Sequence, residues 1–519
     1  MQSQNFSVSV AGAIDSSHIN LIEGLAATSP FLILAVGALL LMVLSTFFKD
    51  RLSPPVFTAV VLIAALFALS RVIGSGAQLS ATAFNGMVAL DHLSAFMAGL
   101  ILCASLLALS LGARSIKRQG IESPAEFYVL FLIATAGAML FSAANEMVTL
   151  FLALETMSLA LYCMCGSVLG GRALARRESA ESALKYFLLG SFSSAIMLYG
   201  IALLYGLTGS LSYAGIAQGL ANSDARFLIK IAIGLTLTGF IFKIGSVPLH
   251  FWAPDVYQGA PTSVTIFMAT VIKAASFGAL LRILTLVFDE RAQSWMPIIW
   301  YVSLLSMIVG NFLALRQRSV KRMLAYSSVA NAGYLLLGAL GHNEFAGGQP
   351  AMMYYLIGYT VMTLGAMGVV MIVAEANKEQ SDDIRFFHGL SASNPILAAF
   401  MALFLLALAG LPPGMVGLVG KIYLFSSAVR ADYLGLAITG ILASVIGCYY
   451  YLNVIVAIYF KPADKSAESH SIIVGTSRGA VLLACAIAVI LFGALPSAVY
   501  NLGLKAPPAQ MTLIPLPVE

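Results

Sequence analysis

The sequence predicts an all-α, polytopic membrane protein with about fourteen transmembrane helices, and two observations lead to this fold class. Of the 519 residues, 60% are hydrophobic and 10% are charged, with a mean hydropathy of +0.92, whereas a soluble domain carries about 25% charged residues. The apolar residues are also grouped into runs of about 20, the length that a helix needs to cross a bilayer. Because lipid cannot satisfy backbone polar groups, we expect these runs to be helical.

Gly, Pro and charged residues separate the apolar runs from one another. The predicted spans 1 to 14 cover residues 29–48, 55–73, 93–113, 126–143, 146–168, 182–207, 227–252, 260–286, 295–315, 321–340, 349–374, 395–429, 433–460 and 474–500. Pro248 interrupts span 7, and the adjacent Pro412 and Pro413 interrupt the overlong span 12. Broken helices are tolerated in membranes where protein or water satisfies the freed backbone groups. We expect residues 1–519 to form a single membrane domain.

The charges in the loops predict the orientation of the chain. With both termini outside, the inner loops hold seventeen of the 28 Lys and Arg residues, the outer loops hold six and the spans hold five. Cytoplasmic loops are enriched in Lys and Arg, so we expect both termini on the non-cytoplasmic side. The net charge of +5 is then a topological signal, and we expect no binding to nucleic acid.

The two broken spans predict an internal duplication. Spans 7 and 12 are five helices apart, and each carries a lysine close to its break, Lys243 and Lys421. We therefore predict a five-helix unit over residues 126–286 that is repeated over residues 295–460. Because five is an odd number, the second copy is inverted, and inverted repeats with broken helices are typical of transporters.

Several ionisable side chains lie inside the predicted spans: Glu155, Lys185, Lys243, Lys273 and Lys421. Each lysine near the middle of a span costs about 2.5–3.5 kcal/mol to insert, so four cost on the order of 10–14 kcal/mol, comparable to the net stability of a whole protein. A buried amine beside a carboxylate is able to gain and lose a proton when the two separate. The row therefore indicates proton movement, and the alternative is a structural scaffold held together by static ion pairs.

Three further charged or polar positions are less specific. Lys185 lies near the inner end of span 6, where snorkelling to the surface and a relay role are both open. Arg282 lies near the end of span 8 and is expected to snorkel. His250 is the only one of the six histidines inside a predicted span, and it is a candidate relay residue. A membrane haem needs facing axial histidines, and no nucleotide motif or cysteine cluster is visible, so we expect neither a redox cofactor nor a metal.

Three motifs resemble those of a known family. They are FKIGSVPLHFWAPDVYQGAPT at 242–262, KRMLAYSS at 321–328 and GLPPGMVGLVGK at 410–421, and they are similar to the antiporter-like subunits of respiratory complex I over residues 90 to 460. That family has fourteen helices with discontinuous spans 7 and 12. Within it the chain resembles the subunit N branch, the counterpart of mitochondrial subunit 2. We expect no long lateral helix after span 14, unlike in subunit L, and Lys421 stands where subunit M typically has glutamate.

The resemblance implies a function and a set of site residues. The function is proton translocation in an NADH-quinone oxidoreductase, with Glu155 and Lys243 as a charge pair and Lys273 and Lys421 continuing the route. One position departs from the family pattern, because Asn331 in span 10 stands where members often have histidine. An amide does not titrate near pH 7, so we expect water or the nearby Tyr334 to bridge that step.

The resemblance also implies partners and a location. NADH, FMN, iron–sulfur clusters and quinone are expected in partner subunits, with no cofactor in this chain. The expected neighbours are the antiporter-like subunit M and the small subunit K, in the lipid bilayer of a bacterial inner membrane, with both termini periplasmic. A subunit of a multisubunit sodium/proton antiporter is the alternative function.

Overall fold

The computed structural model describes residues 24–25, 28–48, 52–74, 80–116, 118–170, 172–341, 346–377, 381–462, 472 and 474–504. In these ranges thirteen helices are long and apolar enough to cross a membrane, and the remaining predicted span, span 12, consists of two shorter helices. The predicted all-α, polytopic fold class is confirmed. The loop charges predict that both chain termini face the non-cytoplasmic side. Both termini lie outside the described residues.

The observed spans follow the predicted order. They are Ser29–Phe47, Pro54–Gly74, His92–Gly112, Pro124–Ala143, Met147–Cys165, Ala173–Thr208, Arg226–Ile244 with Trp252–Gly259 (spans 7a and 7b), Thr262–Leu286, Ala292–Ala314, Val320–Leu340, Gly348–Ala376, Pro395–Ala409 with Met415–Arg430 (spans 12a and 12b), Leu434–Phe460 and Thr476–Ala494. Span 6 begins well before the predicted residue 182, because the charged segment that precedes it consists mainly of good helix formers.

Smaller elements that the hydropathy pattern did not predict lie between the spans. A hairpin of β1 (Ser80–Ala83) and β2 (Val88–Asp91) precedes span 3. The short helices are Tyr213–Asn222, Leu390–Ser393 and Pro496–Leu504, and the single 3-10 turns are Asp289–Arg291 and Ile384–Phe387. These segments are too short to cross a bilayer, which is why a search for long apolar runs passes over them.

Both predicted helix breaks are present, and both begin at a glycine. Span 7a ends at Ile244, where Gly245 has a φ of +70°, and span 12a ends before Gly410, which has a φ of +85°. Glycine adopts this left-handed conformation without a steric penalty and so terminates helices. The helix of span 7a therefore ends before Pro248 rather than at it. The proposed relation between residues 126–286 and 295–460 as inverted repeats stays a prediction.

Spans 8, 10 and 11 form the centre of the bundle. The membrane-length segments of these three helices are 100%, 94% and 89% buried, whereas spans 1 and 2 are each only 28% buried and lie at the periphery. A charged side chain on a central span cannot reach the lipid headgroups by snorkelling along the surface. Ionisable groups on spans 8 and 10 must therefore find their partners inside the protein.

Arg282 shows this directly, and the prediction that it snorkels is wrong. Its side chain is 1% exposed and donates from Nη1 and Nη2 to the Asp91 carboxylate at 2.8 and 2.7 Å, and from Nε to the Ser142 carbonyl at 3.0 Å. Asp91 also caps span 3 by accepting from the backbone N–H of Ser94 at 2.8 Å. Burial favours the neutral acid, but the Arg282 charge and these hydrogen bonds outweigh it and hold the pKa of Asp91 below its ordinary value.

Candidate functional site

Lys243 lies in the last turn of span 7a, just before the break. A cation is favoured there because the helix dipole places partial negative charge at the C-terminal end. The residue is 3% exposed, and Nζ donates to the Tyr186 hydroxyl at 3.4 Å. Nζ also lies 4.9 Å from the ring centroid of Tyr186 and 5.4 Å from that of Tyr162. Aromatic faces attract a desolvated cation, so this pocket is able to hold the amine in its charged form.

Glu155, the implied partner of Lys243, is half-buried in span 5. Its carboxylate makes no contact of 4 Å or less with the Lys243 amine, although it acts on that amine electrostatically. The Oε1 atom of Glu155 is buried and has no hydrogen-bond partner among the described residues. A buried polar atom without a partner is costly. The two charges are thus apart in this structure, and the carboxylate retains an unused acceptor.

Lys273 occupies the buried centre of the bundle. It directly follows a π-helical turn, Met268–Ile272, that the sequence pattern did not predict. Its Nζ donates to the carbonyl oxygen of Ser328 at 2.6 Å and to the Ser328 hydroxyl. That hydroxyl also accepts from the Tyr359 hydroxyl at 2.9 Å. Single π-turns inside α-helices are frequent at functional sites, and this one places the amine against span 10.

Lys421 joins the two halves of span 12. Its Nζ donates to the carbonyl oxygens of Leu408 and Ala409 at 2.9 and 3.0 Å and to the Ser444 hydroxyl at 2.9 Å. The two carbonyls belong to the end of span 12a, where the break leaves them without intrahelical partners. A buried ammonium group satisfies them and is itself favoured at a helix C-terminus.

The Asn331 side chain lies in a network of neutral groups on spans 10, 11 and 13. Its Nδ2 donates to the Ser327 carbonyl at 2.8 Å and to the Ser327 hydroxyl at 3.2 Å, and its Oδ1 accepts from the Tyr355 hydroxyl. The Ser327 hydroxyl forms a hydrogen bond with the Tyr451 hydroxyl. The Asn331 amide is therefore engaged both as a donor and as an acceptor, and it holds the Ser327 and Tyr355 hydroxyls in place. A histidine at this position would be able to titrate, whereas the amide is not.

A second group of polar side chains continues toward Lys421. The Tyr450 hydroxyl donates to Asn311 at 3.1 Å, and Asn311 Nδ2 donates to the Tyr334 hydroxyl at 3.0 Å. The Lys421 amine lies 5.4 Å from the ring centroid of Tyr334. The rings of Tyr450 and Tyr451 are in contact, with centroids 4.4 Å apart. Side-chain contacts therefore run from Ser327 to Lys421, and Tyr334 is the last group before the amine. Lys273 meets this group of contacts through Ser328, the chain neighbour of Ser327.

Lys185 and His250 lie apart from this chain of contacts. The side chain of Lys185 is 41% exposed and contacts the carboxylates of Glu181 at 2.7 Å and Asp255 at 2.9 Å. His250 lies in the connection between spans 7a and 7b, where its Nδ1 is buried without a hydrogen-bond partner among the described residues. Among all the residues that the structure describes, no group of three or more His, Cys, Asp or Glu side chains is placed to hold a metal ion.

Some site residues were not predicted from the sequence. Tyr186, which contacts Lys243, and Tyr450 and Tyr451, which lead to Lys421, read in the sequence as ordinary aromatic residues of apolar helices. Lys321 was counted among the charges of the inner loops, yet it is only 6% exposed. The one available signal was its position within the KRMLAYSS motif.

Comparison with known proteins places this geometry in a family. A family model described as "NADH:quinone oxidoreductase/Mrp antiporter, TM" matches residues 144–447. The chain is 41% identical over 401 residues to NADH-quinone oxidoreductase subunit N of Trichlorobacter lovleyi, covering 77% of this chain and 80% of that one. It is 38% identical over 444 residues to subunit N 1 of Rhizobium meliloti, covering 85% and 89%.

Solved structures agree with this assignment. A chain of respiratory complex I from Thermus thermophilus superposes with a TM-score of 0.75 at 31% identity, covering 92% of this chain and 100% of that one. A chain of the Mrp complex from Dietzia gives 0.78 at 20% identity, covering 93% and 96%, and shows a shared fold. The chain therefore belongs to the antiporter-like membrane subunits of NADH-quinone oxidoreductase, in the subunit N family.

Proposed function

We propose that this chain translocates protons within an NADH-quinone oxidoreductase, with Glu155, Lys243, Lys273 and Lys421 as its relay. One observation carries the proposal. The three lysine amines are buried in the spans, and among the described residues none has a carboxylate oxygen within 4 Å. Their partners are neutral hydroxyls, carbonyls and aromatic rings. An amine in such a place responds strongly to any charge that approaches it.

Glu155 changes the electrostatic environment of the Lys243 amine by making or breaking contact with it. Moving one charge against a potential of about 150 mV requires roughly 3.5 kcal/mol. A carboxylate about 4 Å from an ammonium group contributes about 4 kcal/mol at an effective dielectric constant near 20. Making and breaking this one contact is therefore of the magnitude that proton translocation needs. In the separated arrangement the aromatic pocket alone supports the charged amine, so Lys243 releases its proton more readily than when Glu155 is in contact with it.

The hydroxyl and amide groups between Lys273 and Lys421 provide the next stage. A tyrosine hydroxyl donates one proton while it accepts another, so it passes a proton without becoming ionised. Asn331 takes no part in the transfer itself and holds the Tyr355 and Ser327 hydroxyls. Water molecules are required at two points: between the Ser328 and Ser327 hydroxyls, and beside Asn311, whose amide does not titrate.

The remaining assignments follow from family membership and loop charge. The chain lies in a bacterial inner membrane with both termini periplasmic, beside subunit M and subunit K. NADH, FMN, iron–sulfur clusters and quinone are bound by other subunits, and electron transfer there drives the charge movements described here. His250, with its unpartnered ring nitrogen, is an accessory proton acceptor in the break of span 7.

The deciding experiment is Lys243→Met in the assembled complex, reconstituted into sealed vesicles. We expect proton translocation per electron to fall while the amount of assembled complex stays the same. Lys230→Met is the matched control, because Lys230 lies on the same helix but is exposed. If Lys243→Met moves as many protons per electron as the control, the relay assignment is wrong. Translocation that depends on sodium would favour the antiporter function.

A further inference from the structure

Lys321, at the start of span 10, holds the end of span 7b. Its buried Nζ donates to the carbonyl oxygens of Gln258 at 3.0 Å and Ala260 at 3.2 Å, and to the Thr262 hydroxyl at 3.3 Å. The last carbonyls of a helix have no partner within it, and span 7b is a helix of only eight residues. The amine therefore supplies at its end the hydrogen bonds that such a short helix lacks.

Arg322 holds the middle of the same short helix. Its Nη1 donates to Asp255 Oδ1 at 2.7 Å and to Gln258 Oε1 at 3.1 Å. The other oxygen of Asp255 accepts from Lys185 at 2.9 Å. Asp255 on span 7b is thus shared between a cation on span 6 and a cation on span 10. The three charges line an open cavity of about 200 Å³.

The opposite end of span 7b sets the surroundings of Lys243. Trp252, the first residue of span 7b, stacks on the ring of Tyr186 with centroids 4.6 Å apart and an interplanar angle of 16°. Its indole N–H donates to the Phe242 carbonyl at 2.9 Å. Tyr186 is the hydroxyl partner of Lys243 and the neighbour of Lys185 in sequence. A displacement of span 7b would therefore move the groups that hold the Lys243 amine.

Span 10 also carries the hydrogen-bond partner of the next relay lysine. Ser328, further along the same helix as Arg322, accepts from the Lys273 amine through both its carbonyl and its hydroxyl. One rigid helix is therefore in direct contact with span 7b at its beginning and with Lys273 near its middle. Packed helices of this kind transmit displacements between sites.

We propose that Lys321 and Arg322 are positioning residues that fix span 7b. Span 7b in turn fixes the Lys243 site through Trp252 and Tyr186. Span 10 thereby links the Lys243 and Lys273 sites. This inference rests on the proposed function, because it takes Lys243 as a relay residue. Lys321 acts through hydrogen bonds to neutral acceptors, and Arg322 acts through its ion pair with Asp255.

The test uses the whole complex in sealed vesicles, with the amount of assembled complex measured by native electrophoresis. We expect Arg322→Gln and Asp255→Asn each to lower the rate of proton translocation per assembled complex by about threefold to tenfold, the range for one charge-assisted hydrogen bond at a half-exposed site. The double variant should be slower by less than the product of the two single effects, because the Arg322–Asp255 ion pair is lost in both single variants, while the Arg322–Gln258 and Lys185–Asp255 contacts are each affected in only one. Effects that multiply in the double variant would overturn the proposal.

Lys321 is tested by two substitutions that differ only in hydrogen bonding. Lys321→Gln keeps N–H donors and should retain most of the translocation rate, whereas Lys321→Met should lose it. Equal loss in both would instead make Lys321 a proton carrier and overturn its positioning role. Arg316→Gln is the matched control, because Arg316 is an exposed residue of the preceding loop.

A parallel measurement on Lys243→Met separates this inference from the proposed function. If Lys243→Met leaves translocation unchanged, the proposed relay fails. If Lys243→Met loses translocation while Arg322→Gln and Asp255→Asn keep the full rate, the relay stands and the positioning inference alone fails.

Discussion

The buried ion pair between Arg282 and Asp91 offers a test that separates structural charges from relay charges. Arg282→Met removes three hydrogen bonds, two of them to the Asp91 carboxylate. The Oδ1 atom of Asp91 keeps the Ser94 backbone N–H, but Oδ2 loses its donor and the negative charge stays buried. Leaving one partner of a buried ion pair uncompensated costs about 3–5 kcal/mol. We therefore expect a large loss of stability from this single substitution.

The double variant Arg282→Met with Asp91→Asn should recover most of that loss. Asparagine has no charge and its side-chain oxygen still accepts from Ser94, so the cap of span 3 is retained. Replacing both members of a buried ion pair is often close to neutral. The assay is the thermal midpoint of the purified complex, with the yield of assembled complex in membranes as a second measure.

The stability deficit of the single variant should also depend on pH. In the native protein the pKa of Asp91 is lowered from its ordinary value of 3.8, so the ion pair stabilises the fold above about pH 4 and is lost as the pH falls through the lowered pKa. Without Arg282, burial dominates and raises the pKa of Asp91. Protonation then removes the unpaired charge, and the deficit of Arg282→Met relative to the native protein should shrink from pH 7 toward pH 4.

A normal thermal midpoint in Arg282→Met would contradict the stabilising role of the ion pair. A double variant as unstable as the single one would also contradict it, because the cost would then not come from the uncompensated Asp91 charge. Proton translocation per assembled complex should be unchanged in the double variant. A lower rate at native stability would place Arg282 in the relay and contradict its structural role.

Substitutions at three further positions, Asn331, Lys421 and Gly417, test the surroundings of the last relay lysine. Asn331→Leu leaves the Tyr355 hydroxyl without its acceptor, which costs about 1–3 kcal/mol of stability, and it should slow translocation. Asn331→His should keep the native rate of translocation, and vesicle assays distinguish the two variants. Lys421→Met removes the ammonium donor from two carbonyls of span 12a and should lower both stability and translocation. Lys421→Arg should keep the stability but not the full rate. Gly417→Ala should reduce the yield of assembled complex, because a Cβ at this position overlaps the Ala407 carbonyl oxygen. Gly435→Ala is the control, because a Cβ at Gly435 meets open space.

The fold class was predictable because it depends on quantities that the sequence states directly. Run length and charge content determine whether a helix is stable in lipid, and they predicted the spans from Ser29–Phe47 to Thr476–Ala494. Both breaks were visible as proline and glycine within apolar runs. The hairpin before span 3 and the π-turn before Lys273 carried no such signal, because neither changes the hydropathy of its surroundings.

The identities of the buried lysines were likewise predictable, since an amine in an apolar run is conspicuous whatever surrounds it. Their partners were not. Lys421 is satisfied by backbone carbonyls, and Lys273 by a serine 55 residues away, and neither kind of partner has a periodic pattern. Lys243 was expected beside Glu155, yet its amine contacts aromatic rings.

Composition was enough to predict a bundle of membrane helices that carries costly charges through its centre, because insertion energetics depend on composition over a window of about 20 residues. The contacts of each charge became known from the packing of the helices. It gave Arg282 a buried carboxylate, Lys321 a helix end and Lys273 a hydroxyl network. These assignments depend on contacts between residues that are distant in the chain, and such contacts follow from how the helices pack together.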